Sequence, residues 1–350
     1  MKWTLSPVRD FRRHAEQWRS FNAATAASPL LEPEFVLALL DAFGDERILF
    51  GMCQHDGQTL AMTLLLPRRG GTWEAYQPSQ APVSMWMQRA DVPLEALLRS
   101  LLRSLPGLPL MLGLSQRDPK LQPRPQDSEL TRTLDYIRTA HIDIVGSFDD
   151  YWAARGKNLR SNLKKQRNKL AKDGVVTRLQ IDRLPEQMAA AVADYGRLES
   201  SGWKLQRGTA VSPDNEQGRF YRHMLEGCAR RGAACVYRYW FDAQLVAMDL
   251  CIEDRDCLIV LKTTYDESVG GNLSPTLLMR EECCRQLFAQ ASLRRLEFYG
   301  KVMEWHTRWT DEVRTMYHIN HYRWPGLIHL HTLARRRAAQ APHTDSLSTE

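Results

Sequence analysis

The sequence lacks the short motifs that would commit it to common nucleotide or hydrolase chemistry: it contains no Walker loop, no Gly-x-Gly-x-x-Gly and no Gly-x-Ser-x-Gly. It also has no Cys-x-x-Cys pair. Its seven cysteines are odd in number and irregularly spaced, with Cys283 beside Cys284, which fits reduced thiols rather than a disulfide framework. The close histidine pairs are His318 with His321 and His329 with His331. On a strand, a spacing of three puts the first pair on opposite faces, so no metal site is expected. The longest apolar run, Leu60 to Leu66, is far shorter than the ~20 residues a membrane-spanning helix needs. Met1 to Pro7 is followed by Arg9, Asp10, Arg12 and Arg13 rather than an apolar segment. No secretory leader is therefore expected, and a soluble cytoplasmic protein is. Basic residues exceed acidic ones only modestly, giving a net charge of +6. This points to anionic partners such as nucleotide phosphates or acidic glycans, without reaching the composition of a nucleic-acid-binding protein.

With 350 residues, 43% hydrophobic and 25% charged, the chain is expected to form two packed domains. Arg9 to Phe21 and Pro33 to about Gly44 read as helices. Three strands follow: Ile48–Cys53, Thr59–Leu66 after the turn Asp56-Gly57, and Thr72–Tyr76. A leucine-rich helix, Leu94–Leu105, and a buried strand, Leu108–Leu114, precede a proline-rich connector, Pro119–Pro125. The order then repeats. A capping-box-like Ser147-Phe148-Asp149-Asp150 opens a helix running to about Gly174. Strand Val175–Ile181 and helices Pro185–Ser200 and Glu216–Arg231 come next, then strands Ala234–Phe241, Leu245–Ile252 and Cys257–Thr264. A helix from about Ser274 to Ala291, a strand Leu296–Tyr299 and a late strand Thr315–Arg323 complete the pattern. Even the wording recurs, with Leu60-Ala61-Met62-Thr63-Leu64 beside Val246-Ala247-Met248-Asp249-Leu250. Internal duplication is the reading, against one continuous α/β domain.

Helices, antiparallel strands, helix, strand is the element order of the GNAT fold. A pair of such units resembles the FemAB-like peptidyltransferases. The second half carries the closest motifs: Phe148-Asp149-Asp150-Tyr151-Trp152 with Asn158-Leu159-Arg160-Ser161-Asn162-Leu163, then Ser201-Gly202-Trp203-Lys204, Leu261-Lys262-Thr263-Thr264-Tyr265-Asp266 and Ser274-Pro275. From about Ser147 to Arg323 these are similar to the acetyltransferase domains of CelD-type cellulose-biosynthesis proteins. The resemblance implies an α/β (α+β) chain of two tandem GNAT-like units, with mixed, mostly antiparallel sheets flanked by helices. Residues 1–140 would be a non-catalytic half, 141–340 the acyltransferase domain and 341–350 a disordered tail. Two departures stand out. GNAT enzymes usually place an Arg/Gln-x-x-Gly-x-Gly/Ala loop on the CoA pyrophosphate, whereas this loop reads Val269-Gly270-Gly271-Asn272-Leu273-Ser274-Pro275. The Tyr-Lys pair usual before the late tryptophan is replaced by Gly300-Lys301-Val302-Met303-Glu304-Trp305-His306.

Several residues are candidates for the chemistry. Gly270, Gly271, Asn272, Ser274 and Thr276 lie between a strand and a helix, where glycines and free N–H groups suit a pyrophosphate. The alternative is a simple turn, with Ser274 as N-cap and Pro275 at the first helical position. Acyl transfer to an amine needs a base, oxyanion donors and an acid. Glu304 and His306 flank Trp305, and a carboxylate among indoles would have a raised pKa suited to a base; otherwise both are rim residues. Asp249 either enters the cleft or faces solvent. Tyr265 and Tyr299 stand at strand ends as acids. Lys262, with Trp203, Lys204 and Trp305, would shape an acceptor pocket, the alternative for Trp203 being core packing. Finally, Lys157, Arg160, Lys164, Lys165, Arg167 and Lys169 run without an acidic interruption. Lys157, Arg160 and Lys164 share one helical face: a solvated face, or an anion site with Arg160 at its centre. The donor implied by the resemblance is acetyl-CoA or another acyl-CoA, and the acceptor an amine of a small molecule or glycan, such as an amino sugar or surface-polysaccharide precursor. The rival readings are a transferase fed by aminoacyl-tRNA and a non-catalytic binding protein of polysaccharide assembly.

Overall fold

The structure is a computed structural model, and it describes residues 1–200, 211–212 and 214–330. Trp203, Lys204 and the polar tail at 341–350 lie outside the described residues. The first half runs β1 (Lys2–Pro7), α1 (Ala15–Ala24), α2 (Pro33–Phe43), β2 (Leu49–His55), β3 (Gln58–Pro67), β4 (Thr72–Ala75), β5 (Trp86–Gln88), α3 (Leu94–Ser104), β6 (Met111–Arg117) and β7 (Thr131–Asp143). The second runs α4 (Phe148–Ala153), α5 (Lys157–Lys172), β8 (Thr177–Asp182), α6 (Pro185–Ser200), α7 (Glu216–Ala229), β9 (Ala234–Phe241), β10 (Gln244–Glu253), β11 (Cys257–Tyr265), α8 (Pro275–Gln290), β12 (Arg295–Phe298), α9 (Glu304–Thr307) and β13 (Val313–Tyr322). The helix expected from 147 to 174 is two helices, broken at Gly156, which takes an extended conformation before α5. The hairpin between β2 and β3 turns at Asp56 and Gly57, both with positive φ, as a two-residue turn demands.

The sheets of the two units join into one. The strand order is β1-β2-β3-β4-β6-β13-β7-β12-β11-β10-β9-β8, with β5 beside β3. Read inward from either edge, four strands lead to a parallel partner, β4 with β6 on one side and β11 with β12 on the other. The two units then exchange strands. β13, from the end of the second half, pairs with β6 of the first, while β7, from the end of the first, pairs with β12 of the second. β13 and β7 also pair with each other at the centre. Residue 140, where the sequence placed the division between halves, falls within β7.

Both faces of the sheet are covered, so β3, β9 and β10 are apolar almost throughout. On one face α1, α2, α6 and α7 share a core that joins the halves, with Phe35 edge-on to Phe220 at 5.6 Å. On the other, α4, α5 and α8 cover the second half, and α3 covers the first. The two repeated pentapeptides occupy the equivalent strands β3 and β10. Thr63 therefore stands where Asp249 stands in the second unit, and the first unit has no charge at that point. Among the described residues, no helix is long and apolar enough to cross a membrane.

Candidate active site

The site forms where two parallel strands part. β11 and β12 pair from Cys257–Arg295 to Val260–Phe298. Beyond that β11 continues alongside β10, from Lys262–Leu250 to Tyr265–Ala247, with Leu261 inserted as a bulge. The edge of β11 past Val260 thus turns toward a gap instead of a neighbouring strand. Alternation sends Thr263 and Tyr265 to one side of the sheet and Lys262 to the other.

On the Thr263 side lies a cleft of about 500 Å³, lined by Thr263, Tyr265, Val269, Leu273, Ser274, Thr276, Arg280, Trp305, Arg308 and Trp309, among others. The N-terminus of α8 opens into it. Gln166 of α5 accepts the Ser274 N–H at 2.7 Å, and the Leu277 and Leu278 N–H groups bond back to the Ser274 carbonyl. Pro275 has no N–H, and among the described residues the Thr276 N–H meets no acceptor. One turn further, Arg280 is buried against fully buried Asp249: its Nη2 lies 2.6 Å from Asp249 Oδ2. The Thr263 hydroxyl donates to Asp249 Oδ1 at 2.6 Å. Burial opposes the guanidinium charge, but Asp249 outweighs it and holds Arg280 above its ordinary pKa. Its Nη1 is buried with no acceptor among the described residues. A charged donor left in that state costs free energy until an anion meets it.

The sequence candidates divide on this frame. Asp249 does not face solvent and does not line the cleft; it is fully buried as the counter-ion of Arg280. Tyr265, Ser274, Thr276 and Trp305 do line the cleft. Gly270, Gly271 and Asn272 form an exposed outer lip, and a Cβ at either glycine would meet nothing within 4 Å. Glu304 is not among the indoles: its side chain is 83% exposed and paired with Arg308 at 2.8 Å, so it is a rim residue. His306 lies buried under Trp305, the rings 3.5 Å apart. Burial pushes its pKa down to about 4. The Met303 N–H donates to its Nδ1 at 2.9 Å, so the neutral ring carries its proton on Nε2 and acts there as a donor.

This gives a pH expectation. His321, buried on β13, is likewise pushed by burial to about 4. Both histidines stay neutral in the fold while the unfolded chain takes up protons below about 6.5. Stability should therefore fall as pH drops from 6.5 toward 4, by roughly 2–3 kcal/mol per histidine at most. Denaturant melts across that range check this, with His306→Gln and His321→Gln flattening the slope.

On the Lys262 side is a second cavity, about 660 Å³, which includes Glu199, Gln217, Tyr221, Lys262 and Tyr299 and, from the first half, Gln80, Gln116 and Tyr136. Among the described residues, Glu199 is its one acidic lining residue. A Cβ on Gly196 would come within 2.5 Å of the Val211 carbonyl, so only glycine lets that segment approach α6. The Val211 N–H then donates to Glu199 at 2.7 Å. Lys262 Nζ lies 3.5 Å from the Glu199 carboxylate and over the rings of Tyr195 and Tyr221. Tyr299 donates to Asp118 at 2.8 Å; burial and that carboxylate hold its phenol well above 10. Arg160 joins neither space. It sits with Lys157 and Lys164 in a groove between α5 and α8.

Arg280, Glu199 and Thr263 had not been singled out as functional from the sequence. The available signal was a charge inside an apolar run, as in Leu277-Leu278-Met279-Arg280.

Residues 157–307 match the family model of the acetyltransferase (GNAT) domain. A search of curated proteins gave no match. Among solved structures, the chain resembles FemX at 8% identity, covering 94% of this chain and 99% of that one with a TM-score of 0.57. It also resembles the C-terminal domain of a putative lysylphosphatidylglycerol synthetase from Agrobacterium fabrum, at 12% identity, 93% and 96% coverage and a TM-score of 0.55. L-PGS from Bacillus licheniformis matches at 10% identity, 92% and 96% coverage and a TM-score of 0.53. These likenesses bear on the fold alone. Residues 157–307 thus match the GNAT acetyltransferase domain, and the chain as a whole has a fold similar to that of FemX.

Proposed function

We propose that the chain is an acyltransferase that moves the acyl group of an acyl-CoA onto an amine, such as that of an amino sugar or surface-polysaccharide precursor. The donor lies in the cleft beside α8 and the amine in the cavity across the split of β11 and β12. The observation that carries this reading is Arg280: a buried, charge-balanced guanidinium with one N–H group unmet, in a cleft that also receives a helix N-terminus. That pairing suits a phosphate-bearing donor. In the reaction the amine nitrogen attacks the thioester carbonyl, a C–N bond forms, and the C–S bond breaks with its electrons leaving on sulfur. Glu199 takes the proton lost by the amine. Tyr265, on the cleft side, supplies a proton to the thiolate. Asp249 acts only by positioning Arg280. Calorimetry with acetyl-CoA, longer acyl-CoAs and deacylated tRNA tests the donor; binding of tRNA but no acyl-CoA would sink the reading. The second reading, transfer from aminoacyl-tRNA, draws on the basic face of α5.

The glycine lip yields a separate expectation. Gly271→Trp has open space around its Cβ and should leave the fold intact. It should weaken CoA binding about tenfold or more if phosphate contacts worth about 1.5–3 kcal/mol each are lost. Unchanged affinity would place the phosphates entirely on Ser274 and Thr276.

A further inference from the structure

The geometry points to a nucleotide-anchoring subsite in the groove between α5 and α8, for the phosphorylated adenosine end of a coenzyme A donor. It rests on the acyl-CoA reading above. The groove, about 530 Å³, is lined by Trp152, Lys157, Arg160, Ser161, Lys164 and Arg167, among others. Arg167 is balanced by Glu281 and Glu282, each at 2.9 Å. Among the described residues, Lys157, Arg160 and Lys164 have no carboxylate within ion-pair distance, and Arg160 spends one N–H on the Arg155 carbonyl.

Their placement is also costly to the helix. Lys157 and Arg160 occupy the first turn of α5, which holds no acidic residue and no side-chain cap. A helix N-terminus carries positive partial charge, so cations there are disfavoured. Folding does not explain two uncompensated cations at that end with a third, Lys164, one turn further along the same face, and an anion would. The flat wall of the groove is Trp152, stacked on Phe148 at 5.8 Å and 17°, and a purine ring fits against an indole as phosphates fit against the cations. The groove also adjoins the donor cleft. Trp152 contacts Trp309, which lines that cleft, at 6.0 Å. Gln166, on the same helix as the three cations, bonds the backbone where α8 begins. A donor whose pyrophosphate sits at Ser274 and Thr276 reaches the α5 cations with its nucleotide end.

The test uses the full chain and four probes: acetyl-CoA, dephospho-CoA, adenosine 3′,5′-bisphosphate and deacylated tRNA, by calorimetry. The wild type should bind the bisphosphate alone. Lys157→Ala/Arg160→Ala/Lys164→Ala should lose about tenfold or more in affinity for acetyl-CoA and for the bisphosphate, and much less for dephospho-CoA. Its melting temperature should be unchanged or higher, since charge opposing the helix dipole is removed. If the triple variant fails to fold, Lys157→Gln/Lys164→Gln replaces it. Wild-type affinity for acetyl-CoA and the bisphosphate in a folded variant overturns the subsite and leaves the donor reading standing. Failure of the wild type to bind either probe overturns both. Loss of a steeply salt-dependent tRNA affinity, with acetyl-CoA binding unaffected, assigns the groove to RNA and overturns the small-nucleotide proposal.

Discussion

Arg280→Met is expected to destabilise the chain by about 3–5 kcal/mol, because it strands Asp249 as a buried charge without its partner. Asp249 is fully buried, and its remaining side-chain bond comes from the Thr263 hydroxyl, which cannot replace a guanidinium. Asp249→Leu alone should be comparably harmful, leaving Arg280 uncompensated. The double variant should recover much of the loss, since a buried ion pair replaced by apolar groups of similar size is often close to neutral. Urea melts of the two single variants and the double close the cycle. Activity separates the structural and functional roles: the stable double variant should still fail to hold the donor. A double variant that binds CoA like the wild type would show that Arg280 serves the fold only.

Arg314→Leu should be at least as damaging, with an expected cost of about 3–5 kcal/mol, because two buried carboxylates lose one cation. Arg314 makes a bidentate bond to Asp118, both contacts at 2.8 Å, and a third to Glu297 at 2.7 Å. Lys120 reaches Glu297 only at 3.5 Å. Burial pushes the Asp118 pKa up, but the bonds and charge of Arg314 outweigh it, and the net value lies below the ordinary 3.8. A lowered folded pKa stabilises above the unfolded value, and that stability is lost as pH falls through the folded one. Wild-type Asp118 thus supports the fold down to strongly acid conditions. Without Arg314 the balance reverses, and the variant should begin to lose stability at a higher pH. Denaturation midpoints from pH 3 to 7 measure the shift.

The sequence exposed those parts of the fold whose signals are local. The hairpin at Asp56-Gly57, the strand triplets, the helix opening at Pro275 and the repeat of Ala61-Met62 as Ala247-Met248 were all legible. β7 was not, because Arg132, Asp135 and Arg138 interrupt it and its first part is mostly half-buried or exposed, so it lacks the apolar look of a central strand. β1 was not legible either, since Lys2–Pro7 is a short segment without a continuous apolar face. The site was half legible for a related reason. Position in the element order pointed to the α8 loop, a charge within an apolar strand to Asp249 and a strand end to Tyr265, but a buried ion pair is a relation between residues distant in sequence. Asp118 meets Arg314 across 196 positions, and nothing near Arg117-Asp118-Pro119 announces it.

The exchange of β7 and β13 has a consequence for synthesis. The chain emerges from its N-terminus, and β13 is nearly the last described element to appear. Until residues 313–322 leave the ribosome, β6 and β7 present unpaired edges that lie beside each other only through the missing strand. Such edges invite pairing with other chains, and so long a closure is slow to form. A nascent chain stopped before residue 313 should be markedly more prone to aggregation than its size implies, and chaperone dependence should end abruptly once β13 is released.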